Sequence, residues 1–142
     1  MEISTQYLTF DTKGRTDIID ITKGVQTIIT ESGFVEGKAS LFAVGSTGSI
    51  TTVEYEPGLV KTDLPDFFEK IAPYKFDYAH HGTWGDDNGA SHVRASLLDS
   101  SLEVPFVDST LILGTWQQLI FVDFDTQPRS RKVVVQLMGI KN

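Results

Sequence analysis

Cysteine is absent from this sequence. Its absence excludes disulfides, thiolate nucleophiles and Cys-based zinc sites, and it fits a reducing compartment. No stretch of about 18 apolar residues occurs, so no membrane span is predicted. The first residues, MEISTQYLTFDTKGRTD, lack the basic segment and apolar run of a signal peptide, so a cytoplasmic location is expected. Positive charge is scarce: 12 Lys and Arg stand against 19 Asp and Glu, a net charge of -7. That average field repels a phosphate backbone, so nucleic acid is not an expected partner. The short cluster Arg129-Ser130-Arg131-Lys132 reads as a solvated turn. Repeats, low-complexity tracts and linkers are also lacking, and the length suits one domain over residues 1–142. No G-x-S-x-G elbow, P-loop or HExxH is found.

What is present is a mixed pattern of strands and helices. Alternation over Ser4 to Phe10 predicts a strand, and Thr16 to Ile21 a second. Val25, Ile28 and Ile29, followed by Gly33, predict a helix over Thr22 to Phe34. Strands are expected over Leu41 to Val44 and Ile50 to Tyr55, flanking the turn Gly45-Ser46-Thr47-Gly48. Pro65 and the apolar Phe67, Phe68 and Ile71 predict a helix over Asp63 to Ile71, and Ser91 to Leu98 reads as another. Further strands are expected at Leu102 to Val107, Thr110 to Leu113, Trp116 to Phe124 and Lys132 to Met138, with Asp108-Ser109 as a tight turn. The order is not strictly alternating, so the expected class is α+β, a mixed or antiparallel sheet core with about three short helices. Val133-Val134-Val135 and Leu119-Ile120-Phe121-Val122 are apolar on both strand faces. Both need cover, and with few helices an oligomer is expected to supply it.

The three histidines, His80, His81 and His92, are gathered in one stretch with Asp86, Asp87 and Asn88. Imidazole is the commonest metal ligand and the usual general base near neutral pH. Gly82, Gly85 and Gly89 allow the chain to fold back, so His81 and His92 are expected to face one point. If the backbone is extended there, His80 points to the opposite face from His81. The segment GSTGSITTVEYEPG carries Ser46, Thr47, Ser49, Thr51 and Thr52, and its Gly-flanked turn can cradle a phosphate or carboxylate. Ile50, Thr52 and Glu54 share a strand face, which makes Glu54 a ligand or acid/base candidate. In LGTWQQ, Trp116 can stack on a flat heterocycle beside Thr115 and Gln117. Arg94, Arg129 and Arg131 are candidate phosphate clamps. Each feature also has a plain structural reading: satisfied histidines, a Thr-rich strand, a core tryptophan and solvated arginines.

GSTGSITTVEYEPG, then HHGTWGDDNGASHVRASLLDSSLEVPF, then LGTWQQLIFVDFDTQPRSRKVVVQLMG resemble the YjbQ-like proteins, described as secondary thiamine-phosphate synthase enzymes. The resemblance covers nearly the whole chain. It implies a compact α+β homotrimer that joins a pyrimidine diphosphate to a thiazole phosphate and releases pyrophosphate. It also implies a divalent metal ion, zinc or magnesium, and no organic cofactor. Carried over, His81, His92 and Glu54 are the catalytic residues, with His81 and His92 as metal ligands. Ser49, Thr51, Arg94, Thr115, Trp116 and Gln117 bind the phosphorylated or heterocyclic substrate. Gly45 and Ala90 stand where many relatives have histidine, so two potential ligands are missing. A metal-dependent hydrolase using the same cluster and a non-catalytic trimeric ligand-binding protein are the alternative expectations.

Overall fold

Alternating polar and apolar residues build two antiparallel sheets in the computed structural model, which describes residues 1–142. The strands are β1 (Glu2–Thr12), β2 (Asp17–Asp20), β3 (Phe34–Ala43), β4 (Gly48–Val53), β5 (Ser101–Val107), β6 (Thr110–Leu111), β7 (Gln118–Asp123) and β8 (Arg129–Lys141). The larger sheet runs β1-β8-β3-β5-β6 and the smaller β2-β7-β4. Four helices complete the chain: α1 (Thr22–Ser32), α2 (Leu64–Ile71), α3 (Ala79–Trp84) and α4 (Gly89–Leu97). A π-helical turn over Leu59–Asp63 leads into α2. This is the expected α+β class. No helix is long and apolar enough to cross a membrane.

One face of each sheet meets the other across the main core. Leu41, Val133, Val135 and Leu137 of the larger sheet pack with Ile50, Leu119 and Phe121 of the smaller, and α1 adds Val25, Ile28 and Ile29. Gly33, at φ 76, ends α1 in the left-handed conformation that glycine adopts without steric cost. The other face of the smaller sheet carries Ile18, Ile120 and Val122, which pack on Val60, Phe68 and Ala95 of the helical segments. The double-sided apolar run at Leu119–Val122 is therefore covered within one chain. Its cover needs no second subunit, which corrects the expectation for this strand.

Val134 is different. Its row in the larger sheet, Tyr7–Val134–Phe42 by register, faces outward, where Tyr7 is 56% and Phe42 48% exposed. The Asp108-Ser109 turn forms as expected, both residues at positive φ (51 and 56), the signature of a two-residue hairpin connection.

Several bounds differ for physical reasons. β3 starts seven residues before the expected strand, because Glu36, Gly37 and Lys38 separate the apolar Phe34 and Val35 from Leu41. β4 ends at Val53, so Glu54 lies outside the strand that was expected to orient it. β7 begins at Gln118, leaving Thr115, Trp116 and Gln117 in the preceding turn. The His-rich stretch is helical over Ala79–Trp84 rather than a loop.

Candidate functional site

Helix α3 decides where the histidines go. A helical backbone turns successive side chains by about 100°, so His80 and His81 diverge in a different way from an extended pair. His81 faces the start of α4, where its Nε2 accepts the Gly89 N–H at 2.9 Å. It thereby satisfies one of the four N–H groups that a helix leaves without an internal partner. Tyr78 packs edge-on against the same ring, with centroids 5.5 Å apart. A side chain at position 89 would clash there, since its Cβ would lie 2.6 Å from Tyr78 Cβ.

The ring that meets His92 is His80. Their centroids are 4.7 Å apart at an interplanar angle of 64°. The Asn88 side-chain amide lies 3.1 Å from His80 Nε2, and Asp86 Oδ1 lies 3.4 Å from the same nitrogen. The expected meeting of His81 with His92 is thus replaced by a His80–His92 pair braced by Asn88 and Asp86. His92 also borders a cleft of about 520 Å³ that includes Gly45, Ser46, Ser96, Asp99 and Ser100. Nothing projects from Gly45 into this space.

The turn Gly45–Gly48 has an unexpected foundation. Arg131 is 9% exposed and grips Asp123 with two guanidinium nitrogens, Nε at 2.6 Å and Nη2 at 2.7 Å. Nη2 also donates to Thr47 Oγ1 at 2.7 Å, and Thr47 donates to Asp125 Oδ2 at 3.0 Å. Burial pushes the Asp125 carboxyl up, but the Thr47 hydroxyl, the Arg129 guanidinium and the Gln127 N–H outweigh it and hold the group below its usual range. Thr47 is consumed by this network rather than offered to an anion. Ser49 is fully buried and donates to the Ala95 carbonyl at 2.8 Å, tying β4 to α4. Thr51 is half-buried on the same strand.

Arg94 is 1% exposed. Its Nε donates to Ala72 O (2.8 Å), Nη1 to Thr16 Oγ1 (2.9 Å) and Nη2 to Glu69 Oε2 (2.5 Å), and the guanidinium stacks 3.9 Å from the Tyr74 ring centroid. These donors are directed at the protein, not at a cleft, which removes it as a phosphate clamp.

Glu54, Thr115 and Trp116 do come together, away from the histidines. They line a groove of about 380 Å³ with Asp20, Tyr55 and Gln118. Trp116 is 74% exposed, a flat platform rather than a core residue. Gln117 braces the turn, accepting the Gly114 N–H (3.1 Å) and donating to Thr52 Oγ1 (3.2 Å).

The donor set does not fit a metal ion. No three histidines or carboxylates converge in a coordination sphere. His81 spends its Nε2 on Gly89, and Ala90, a completely buried residue, has no donor to offer.

Sequence reasoning missed His80 as the partner of His92, and it missed Asp123, Asp125 and Arg131 as a buried network. A signal for Arg131 existed: it falls in the period-two register of Val133, Val135 and Leu137, which face the core.

The comparisons with known proteins agree with one another. A family model described as UPF0047 protein YjbQ-like matches residues 6–140. A UPF0047 protein of Methanothermobacter thermautotrophicus is 36% identical over 98% of this chain and 94% of its own length. UPF0047 protein YugU of Bacillus subtilis is 33% identical over 93% of this chain and 97% of its own. Among solved structures, a hypothetical protein from Aeropyrum pernix K1 superposes with a TM-score of 0.89 at 27% identity, covering 96% of this chain and 99% of that one. An uncharacterized conserved YjbQ/UPF0047 protein from Clostridium acetobutylicum gives 0.84 at 32% identity, covering 94% and 99%.

Proposed function

The chain belongs to the YjbQ-like UPF0047 family, and from that premise we propose that it is a cytoplasmic enzyme of the secondary thiamine-phosphate synthase type, with its chemistry in the cleft beside His92. The observation that carries this reading is the His80–His92 ring contact at 4.7 Å, on the border of a polar cleft of about 520 Å³. A cleft of that size suits a small-molecule substrate.

In the reaction, a thiazole nitrogen attacks the methylene carbon of the pyrimidine diphosphate, the C–O bond breaks, and pyrophosphate leaves with the bonding pair. Negative charge develops on the departing oxygen, so a proton donor placed there lowers the barrier. That proton is assigned to His92, the histidine that lines the cleft. His80, held by Asn88 and Asp86, fixes the orientation of the ring that packs against it. Glu54 and Trp116 offer a separate surface for a flat ring.

Purified protein given both precursors is expected to release pyrophosphate, and His92→Ala is expected to lower that rate by about 100-fold or more. His81→Ala is expected to lower Tm more than it lowers the rate. Equal rates for His92→Ala and wild type would exclude His92 as the proton donor. A non-catalytic binding role is favoured by one observation, the inert and completely buried methyl of Ala90 at a position where the family resemblance implies a histidine. Stabilisation by a precursor without turnover would establish that role instead.

The assembly proposed is a homotrimer. The outer face of the larger sheet leaves Ile3, Tyr7 and Phe42 substantially exposed, and a second copy is the occupant that the family resemblance implies. Sedimentation at micromolar concentration is expected to give about three times the chain mass. A 15.7 kDa species would exclude it.

A further inference from the structure

In a chain with net charge -7, a pocket lined by several cations is conspicuous. Lys38, Arg94, Arg129, Arg131 and Lys141 are all held in ion pairs with carboxylates. Lys13, Arg15, Lys23, Lys61, Lys70, Lys75 and Lys132 are not, and of these Lys13, Arg15 and Lys61 line one pocket of about 440 Å³. Its walls are completed by Ile18, Val60 and Pro65 on the apolar side. The single acid in the lining, Asp17, accepts the Lys13 backbone N–H at 2.7 Å. The lining therefore carries an excess of two positive charges, from Lys13, Arg15 and Lys61 against Asp17.

Two rare backbone features present these cations. Gly14, Arg15 and Thr16 all have positive φ (77, 54 and 65). Such a run is costly for residues with side chains, most of all for β-branched threonine. It is enforced from behind. A Cβ on Gly14 would lie 2.7 Å from the Asp125 and Gln127 carbonyl oxygens, Arg15 N donates to Asp125 O at 2.7 Å, and the buried Thr16 receives Arg94 Nη1. Lys61 comes from the other side, on the π-helical turn Leu59–Asp63 that also supplies Val60. Both strained backbones and π-turns concentrate where a protein positions groups for a ligand.

We infer that this pocket binds a small phosphorylated molecule, its phosphate held among Lys13, Arg15 and Lys61 and its apolar part against Ile18, Val60 and Pro65. The inference is independent of the histidine cleft, whose lining shares no residue with this pocket.

Phenyl phosphate is a suitable probe, since it joins a phosphate to a flat apolar ring. Calorimetric titration of the intact protein at low salt is expected to give saturable binding with a dissociation constant of about 1 mM or tighter. Lys61→Ala and Arg15→Gly are each expected to weaken it by about tenfold or more, and ~0.5 M salt is expected to weaken it further. Phenol, which keeps the ring and lacks the anion, is expected not to bind. Arg15→Gly carries its own control for folding, because glycine adopts the φ of 54 without strain, which offsets the lost cation–π contact of Arg15 with Tyr74, so Tm is expected to hold within a few degrees. An absence of saturable binding to the wild-type protein, or unchanged affinity in both variants, would overturn the inference.

Discussion

Asp123→Ala is expected to destabilise the protein by about 3–5 kcal/mol, the range for removing one partner of a buried ion pair. Asp123 is completely buried, and it accepts from four groups: Arg131 Nε and Nη2, the Thr12 hydroxyl and the Asp125 backbone N–H. Alanine would leave the guanidinium of Arg131 enclosed with only Asp125, 3.8 Å from Nη2, as a counter-charge. The size of the loss comes from the two guanidinium donors left without their acceptor rather than from any large net gain of the intact pair. In urea, the midpoint is expected to fall while the slope stays constant, as for a change of stability without a change of fold. A shift below about 1 kcal/mol would show that Arg131 escapes to solvent, contrary to its position under the Gly45–Gly48 turn. The same variant is expected to disturb the His92 cleft, because Arg131 holds Thr47 and that turn forms one of the cleft's edges.

The sequence made the scaffold legible wherever one face of an element is apolar. Val25, Ile28 and Ile29 mark the buried stripe of α1, alternation marks β1 and the apolar run Val133–Val135 marks β8, although both strands run longer than their apolar cores. Asp108-Ser109 was legible because few residue pairs tolerate the left-handed conformations of a two-residue turn. The histidines were placed less well for a simple reason. Gly82, Gly85 and Gly89 suggest a hinged loop, whereas six residues of helix there change which ring turns toward His92. Glu54 illustrates the same limit, since its orientation was inferred from a strand that ends one residue earlier. The kinship with YjbQ-like proteins placed the motifs in order but not the side chains within them. Position in a motif does not report whether a hydroxyl such as Ser49 faces a cleft or a helix carbonyl, because that depends on which element packs behind it.

Arg94 is where a functional and a structural reading separate most clearly. A clamp for phosphate should tolerate lysine in part, and its removal should cost ligand affinity while leaving the fold intact. The geometry leads to the opposite expectation: Arg94→Ala should lower stability by about 3–5 kcal/mol whether or not any ligand is present. Three directions of hydrogen bonding are lost at once, to the Ala72 carbonyl that ends α2, to Thr16 and to Glu69. The face of Tyr74 loses its cation as well, and a void opens between α2 and α4. Glu69 is 52% exposed and can turn to water, so most of the loss falls on the buried acceptors. Arg94→Lys is expected to recover less than half of it, because one ammonium cannot span the three acceptors that the planar fork reaches. Thermal unfolding of both variants decides the matter. If Arg94→Lys is as stable as wild type, the fork geometry is not what the protein uses. Thr16 also connects this site to the basic pocket: its hydroxyl takes Arg94 Nη1 while its backbone helps set the conformation of Arg15. Loosening Arg94 is therefore expected to weaken phenyl phosphate binding as well, even though Arg94 does not line that pocket.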